Sequence, residues 1–259
     1  MELQGQYGQY SQLGQFGQLE GPVEGFFTAQ NAALWDALLS FQAGQNILGD
    51  FLEIGVYKGR SALLSALHLR DAERFYLIDG THFLEEAEGH LAPILAHRGK
   101  YLQKMSYEIV LQDLQEIRHR CRWAHIDGEH TGRAVWNDLE LCEQVLANDG
   151  ILILDVFFNP MYPQLSEAAF SFLAQNKYKL SMFLCGWNKA YLARPLYALH
   201  YRSFVRQFLA TELHHRNVHD FLLTKTATID ESGAFGICHR FTDRDYYGLD
   251  SNPDFIPCY

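Results

Sequence analysis

Short runs of consecutive apolar residues alternate with stretches of helical spacing, the pattern of strands covered on both faces by helices. Strands are expected at 47–54, 74–79, 101–105, 123–127, 151–155, 179–184 and 189–193. Helical spacing begins at Thr28, with Ala29, Ala32, Trp35, Leu38 and Leu39 on one face, and recurs at 61–69, 106–118, 133–146 and 165–175. Such alternation predicts an α/β fold built on a doubly wound, mostly parallel sheet of seven strands with helices on both faces and ligands at the carboxyl ends of the strands. After Pro195 the alternation stops: 197–216 reads as one long helix, followed by short strand candidates at 221–224 and 235–239 and the tail DYYGLDSNPDFIPCY. The first residues follow neither period, because an aromatic or Leu recurs every third position (Tyr7, Tyr10, Leu13, Phe16, Leu19) among Gly and Gln. Two readings of this run stand: a low-complexity tail, or an arm that lays its apolar third residues on the domain or a partner subunit. The expected organisation is an arm over 1–27, a Rossmann-like domain over 28–195 and an addition over 196–259 packed on the same domain.

Composition narrows the partners. With 259 residues, 48% of them hydrophobic, the chain has the material for one large core. A formal charge of −10, from 31 acidic against 21 basic residues, opposes a phosphate backbone or an anionic membrane surface. A small-molecule substrate fits better than nucleic acid or membrane. The five cysteines lack paired metal-site spacing and fit a reducing cytoplasm. Neither a membrane-spanning apolar stretch nor a signal-peptide pattern is expected. Homo-oligomerisation is left open.

Candidate chemistry concentrates at strand ends. In FLEIGVYKGRS a strand closes on Glu53, and Gly55 and Gly59 bracket a turn into a helix that begins near Ser61. Glycines there admit positive φ and close approach of a ligand, and the helix start offers free N–H groups. The spacing matches neither the dinucleotide fingerprint nor the P-loop. Asp79 ends the next strand in FYLIDG, where a carboxylate can accept both hydroxyls of a ribose. Met105 and Ser106 follow a further strand, positioned either to meet an adenine or to serve as core residue and helix cap.

These motifs, continued by HIDGEHTGRAVWNDLELCEQVLANDGILILD and FFNPMYPQLSEAAFSFL, resemble the class I S-adenosylmethionine-dependent methyltransferases, most closely the small-molecule O-methyltransferases with an IDG-D/E-H … D-D pattern. The resemblance spans roughly 47–194. It implies Glu53, Gly55, Gly59 and Ser61 around the methionine part of the cofactor and Asp79 on the ribose; Val56, Tyr57, Gly80, Met105, Ser106 and Asp127 complete the candidate cofactor site. Asp127, Glu129 and His130 lie at one strand end and Asp155 at the next, so their carboxylates aim at one crevice. Asp127 and Asp155 are the candidate ligands for Mg²⁺, which would lower the pKa of a substrate hydroxyl. In the resembled metal-dependent enzymes two acids end that strand, whereas here ILILDVFF places Val156 second. A metal with fewer protein ligands and a metal-free mechanism both remain open.

Asp127, Glu129 and His130 are the candidate catalytic residues. The resemblance points to Glu129 as proton acceptor, and the ordinary pKa of imidazole suits His130 for the same task. Lys189, in the turn CGWNKAYLA, is either solvated or a contact for an anionic substrate group. The tail aromatics Tyr246, Tyr247 and Phe255 either cover the pocket or pack outside it. The expected function is methyl transfer to a hydroxyl of a small metabolite, such as a sugar or natural product. The alternatives are a cofactor-binding or assembly protein of the same fold that lacks turnover, and a nicotinamide-dependent oxidoreductase.

Overall fold

A computed structural model describes residues 12–16, 23–226, 233–239 and 255–258. Five strands, β1 (Asp50–Ile54), β2 (Phe75–Ile78), β3 (Gly99–Leu102), β4 (Cys121–Ile126) and β5 (Leu146–Asp155), run parallel in the order β3-β2-β1-β4-β5. The chain builds β1 to β3 outward in one direction, then returns to lay β4 and β5 on the other side of β1. The carboxyl ends of β1 and β4 therefore flank the crevice that such a reversal opens.

Beyond β5 comes a hairpin, β6 (Ser181–Gly186) and β7 (Lys189–Ala193), with β7 antiparallel to both β5 and β6. Its turn is Trp187-Asn188, at φ 47° and 68°. Two residues of positive φ make the tight turn whose twist matches that of paired strands. These seven strands are the ones the sequence pattern predicts. Three more extend the same edge in the order β6-β9-β8-β10: β8 (Leu222–Thr226), β9 (Phe235–Cys238) and β10 (Phe255–Cys258).

Helices α1 (Ala29–Gly44), α2 (Arg60–Leu67), α3 (Phe83–Leu95) and α6 (Pro195–Phe204) cover one face, and α4 (Gly132–Val145) and α5 (Pro163–Gln175) the other. The expected long helix after Pro195 is α6, a π turn over Val205–Leu209, and α7 (Ala210–His215) in succession. Helix α1 is buried along most of its length: Ala32, Ala33, Leu34, Trp35, Leu38 and Leu39 pack in the core, and Asn31, Asp36, Ser40 and Gln42 are buried with them. Its start is fixed by Thr28, whose hydroxyl accepts the Asn31 N–H at 3.2 Å.

Two elements differ from the sequence pattern. The expected helix at 106–118 is two 3₁₀ segments, Ser106–Glu108 and Leu111–Ile117. Glu108 accepts the Met105 N–H at 2.9 Å and Asp113 the Val110 N–H at 3.1 Å, so side chains cap each short turn and interrupt an α-helical ladder. Helix α3 was not signalled, because Gly89 and Pro93 interrupt the stripe Leu84, Ala87, Leu91 and Leu95 that it buries. The turn Leu13–Phe16 packs Leu13 and Phe16 on the core, while Tyr7, Tyr10 and Leu19 lie outside the described residues.

Candidate active site at the carboxyl ends of the parallel strands

The β1–α2 turn carries two glycines for separate reasons. Gly55 sits at φ +84°, and a Cβ there would lie 2.0 Å from the Asp127 carbonyl oxygen, so β1 and β4 approach more closely than any side chain allows. Gly59 caps α2 in the left-handed region, at φ +87°. Asp79 ends β2 and accepts the Tyr57 N–H at 2.7 Å and the Thr81 N–H at 2.8 Å, which fixes its carboxylate at the rim. Ser61 donates to Glu53 at 2.5 Å, and the other Glu53 carboxylate oxygen, Oε2, is buried without a hydrogen-bond partner among the described residues.

Three cavities meet along the strand ends. The first, about 250 Å³, is lined by Gly55, Asp79, Gly80, Met105, Ser106 and Asp127, with Glu129 at its edge. The second, about 210 Å³, shares Gly55, Asp79 and Asp127 and adds Val56, Tyr57, Ser61, His130 and Asp155. The third, about 380 Å³, shares Asp155 and Phe26 with the second and is walled by Asn31, Trp187, Asn188 and Lys189. Gly59 and Glu53 line none of these cavities; Gly59 shapes the turn and Glu53 lies beneath it. Glu129 is exposed and also borders an outer hollow with Tyr107 and Arg133. The 23–27 segment closes over the second cavity. Arg60 donates to the Val23 and Phe27 carbonyls at 2.7 and 3.3 Å, and Glu24 accepts from Tyr57 and Lys58. Phe26, 99% exposed, stands at the mouth shared by the second and third cavities.

Behind the cavities runs a buried chain of charges that the sequence pattern does not show. His125, on β4, sets Nδ1 3.0 Å from Glu53 and Nε2 3.4 Å from Asp155. Lys189 donates to the same Asp155 oxygen, Oδ2, while Oδ1 accepts the Val156 N–H at 2.7 Å and the Asn188 amide at 3.5 Å. Burial pushes the His125 pKa down, but the hydrogen bonds that it donates to Asp155 and Glu53 outweigh this and raise it to about 9. Burial likewise opposes ionisation of Asp155, yet Lys189 and His125 hold it well below the usual carboxylate range. Asp127 is pushed up by burial and by the Asp155 charge. His130, 3.3 Å from Asp127, is raised by that hydrogen bond. Asp138, under Gly128, is raised to about 6 by burial.

His125, Asp127 and Asp155 bring ligand atoms within 4.8 Å of one another, which invites a test for a divalent cation. Both His125 nitrogens face carboxylates, so both act as donors and neither offers a lone pair. Both Asp155 oxygens are taken by Lys189, His125, the Val156 N–H and Asn188. Asp127 keeps a free oxygen, and hard cations require several. The donor set does not fit a divalent cation. For an adenosyl cofactor the fit is good, since the Gly55 cradle and the Asp79 rim open on the first two cavities.

Residues 52–156 match the family model described as a methyltransferase domain. Together with the strand order and the crevice, the match marks residues 52–156 as a methyltransferase domain. No curated protein matches the sequence significantly. Among solved structures, the fold is similar to that of the O-methyltransferase NovP, with a TM-score of 0.50 and 14% identity over 63% of this chain and 80% of that one. It is also similar to CalS11, a TDP-rhamnose 3'-O-methyltransferase of calicheamicin biosynthesis, with a TM-score of 0.51 and 18% identity over 70% of this chain and 92% of that one. No helix among the described residues is long and apolar enough to cross a membrane.

Proposed function

We propose that the protein transfers a methyl group from S-adenosylmethionine to a hydroxyl oxygen of a small polar metabolite, a sugar or natural product. The observation that carries this reading is the row of three connected cavities with Asp127 and Asp155 at the junctions. The first takes adenosine, with Asp79 on the ribose and Met105 and Ser106 at the base. The second takes the amino-acid part, beside Val56, Tyr57 and Ser61, and the third the acceptor. The cofactor supplies an electrophilic methyl on a sulfonium.

The acceptor cavity is polar where it is most buried. Among the described residues, Asn31 Oδ1 and Trp187 Nε1 are buried without partners, one an acceptor and one a donor, so they suit a molecule that offers both kinds of group. Phe26 and Trp187 supply flat apolar walls of the kind that pack on a sugar or aromatic ring. His130 lines the transfer cavity and Glu129 does not, which favours His130 as the group that takes the acceptor's proton, with Asp127 holding the imidazole. NovP is an O-methyltransferase and CalS11 a TDP-rhamnose 3'-O-methyltransferase, and that chemistry agrees with this cavity. Incubating the protein with methyl-labelled cofactor and a metabolite extract tests the reading by mass spectrometry. A product heavier by one labelled methyl on oxygen is expected; label only on nitrogen or carbon, or none at all, overturns it.

A further inference from the structure

The resembled metal-dependent enzymes bring a divalent cation to the acceptor oxygen, and the donor set here does not fit one. A cation is nevertheless present in the fold. Lys189 is 1% exposed, its ammonium rests on Asp155, and it lies 5.8 and 5.6 Å from the ring centroids of Phe27 and Trp35. It also lines the acceptor cavity. An ammonium has three donors, of which Asp155 takes one. The aromatic faces hold the charge in place without consuming another.

We propose that Lys189 stands in for the divalent cation: its ammonium fixes Asp155 and offers an N–H to the acceptor oxygen as negative charge gathers there. This rests on the methyl-transfer reading. In the step, the acceptor O–H bond breaks and its proton passes to His130. An O–C bond forms while the S–C bond of the methyl breaks, and the bonding pair remains on sulfur as a neutral thioether. The positive charge lost at sulfur reappears on the imidazole, so no co-reactant is needed. Val156 belongs to the same arrangement. A second acid at that position would add a ligand that Lys189 makes unnecessary, and the chain keeps a β-branched residue there at φ 58°, a backbone region that valine rarely occupies.

Mn²⁺ binding, followed by electron paramagnetic resonance on the full chain, decides the matter without turnover. The wild type is expected to hold no stoichiometric Mn²⁺ up to millimolar concentration, and the double variant Lys189→Ala, Val156→Asp to bind one ion in the micromolar range. Stoichiometric Mn²⁺ in the wild type, with activity lost to chelator, overturns the proposal. Lys189→Ala alone should lower kcat at least 100-fold with S-adenosylhomocysteine affinity changed less than threefold, and added propylammonium should restore part of the rate. Loss of kcat that no amine rescues, in a variant that still binds S-adenosylhomocysteine, also counts against it. Calorimetry with S-adenosylhomocysteine separates the two levels: no binding to the wild type sinks the methyltransferase reading, whereas normal binding with a bound metal sinks only the role of Lys189.

Discussion

His130 and His125 stand 5 residues apart in sequence and titrate in the same direction for different ends. A base must be unprotonated to accept a proton, and the Asp127 hydrogen bond raises the His130 pKa above its ordinary 6.5. The rate should therefore rise with pH through a midpoint above 6.5, and His130→Gln should lower kcat/KM by on the order of 100-fold while abolishing that limb. A profile flat from pH 6 to 9 in the wild type would remove His130 from the role. His125 contributes instead to stability. Its folded pKa of about 9 exceeds the unfolded value, so its contribution is complete below about pH 6.5 and is lost as pH rises through 9. The contribution at stake is on the order of 3 kcal/mol. Urea unfolding at pH 6 and pH 9.5 should show the wild type losing stability that a His125→Asn variant does not lose. Gly55→Ala places a methyl into the Asp127 carbonyl, and should cost about tenfold or more in S-adenosylhomocysteine affinity by calorimetry.

At the scale of elements, the 23–27 segment matters because three side chains of the β1–α2 turn hold it down. Arg60 contributes hydrogen bonds to two of its carbonyls, so Arg60→Ala leaves the segment with the exposed Glu24 contacts to Tyr57 and Lys58, which are weak individually. Hydrogen exchange should speed up in 23–27 and not in β1, and KM for both substrates should rise. Equal protection in the variant and the wild type would show that the segment is held by other contacts. The β6–β7 hairpin has a comparable role on the opposite wall. Its turn presents Trp187 and Asn188, and its register pairs Lys189 with Asp155 across β5 and β7. A tight turn of two positive-φ residues without glycine is strained, a feature that clusters at binding sites.

For the whole molecule, the proposed cofactor site is a seam between strand ends, each assigned a different part of the ligand. Binding there ties β1, β2 and β4 together, so it should stabilise the fold by mass action. At about 100 times its Kd, S-adenosylhomocysteine adds ~2.7 kcal/mol, or roughly 5–10 °C in melting temperature for a chain of this size. A melting temperature indifferent to the ligand would contradict the site. The added strands β8, β9 and β10 lengthen the sheet on the acceptor side, and Cys238 and His239 at the end of β9 reach the acceptor cavity. Among the described residues after Pro195, these two line the third cavity, the one proposed for the acceptor.

The strand and helix alternation, and the placing of Gly55, Asp79, Asp127 and Asp155 at strand ends, follow from local pattern, because side-chain periodicity and glycine turns are properties of a few consecutive residues. Helix α3 escaped that logic, since Gly89 and Pro93 lower local helix propensity and packing of Leu84, Leu91 and Leu95 restores it. His125 reads as one polar residue in an apolar strand, with nothing nearby in sequence to pair it with Glu53. Lys189 reads as a turn lysine, solvated or facing an anionic substrate group, until β7 pairs antiparallel with β5 and sets it opposite Asp155, 34 residues away in the chain. Strand register and the burial of charge depend on contacts between distant segments. Local sequence thus determined where the site lies, and tertiary structure alone decided which charges meet inside it.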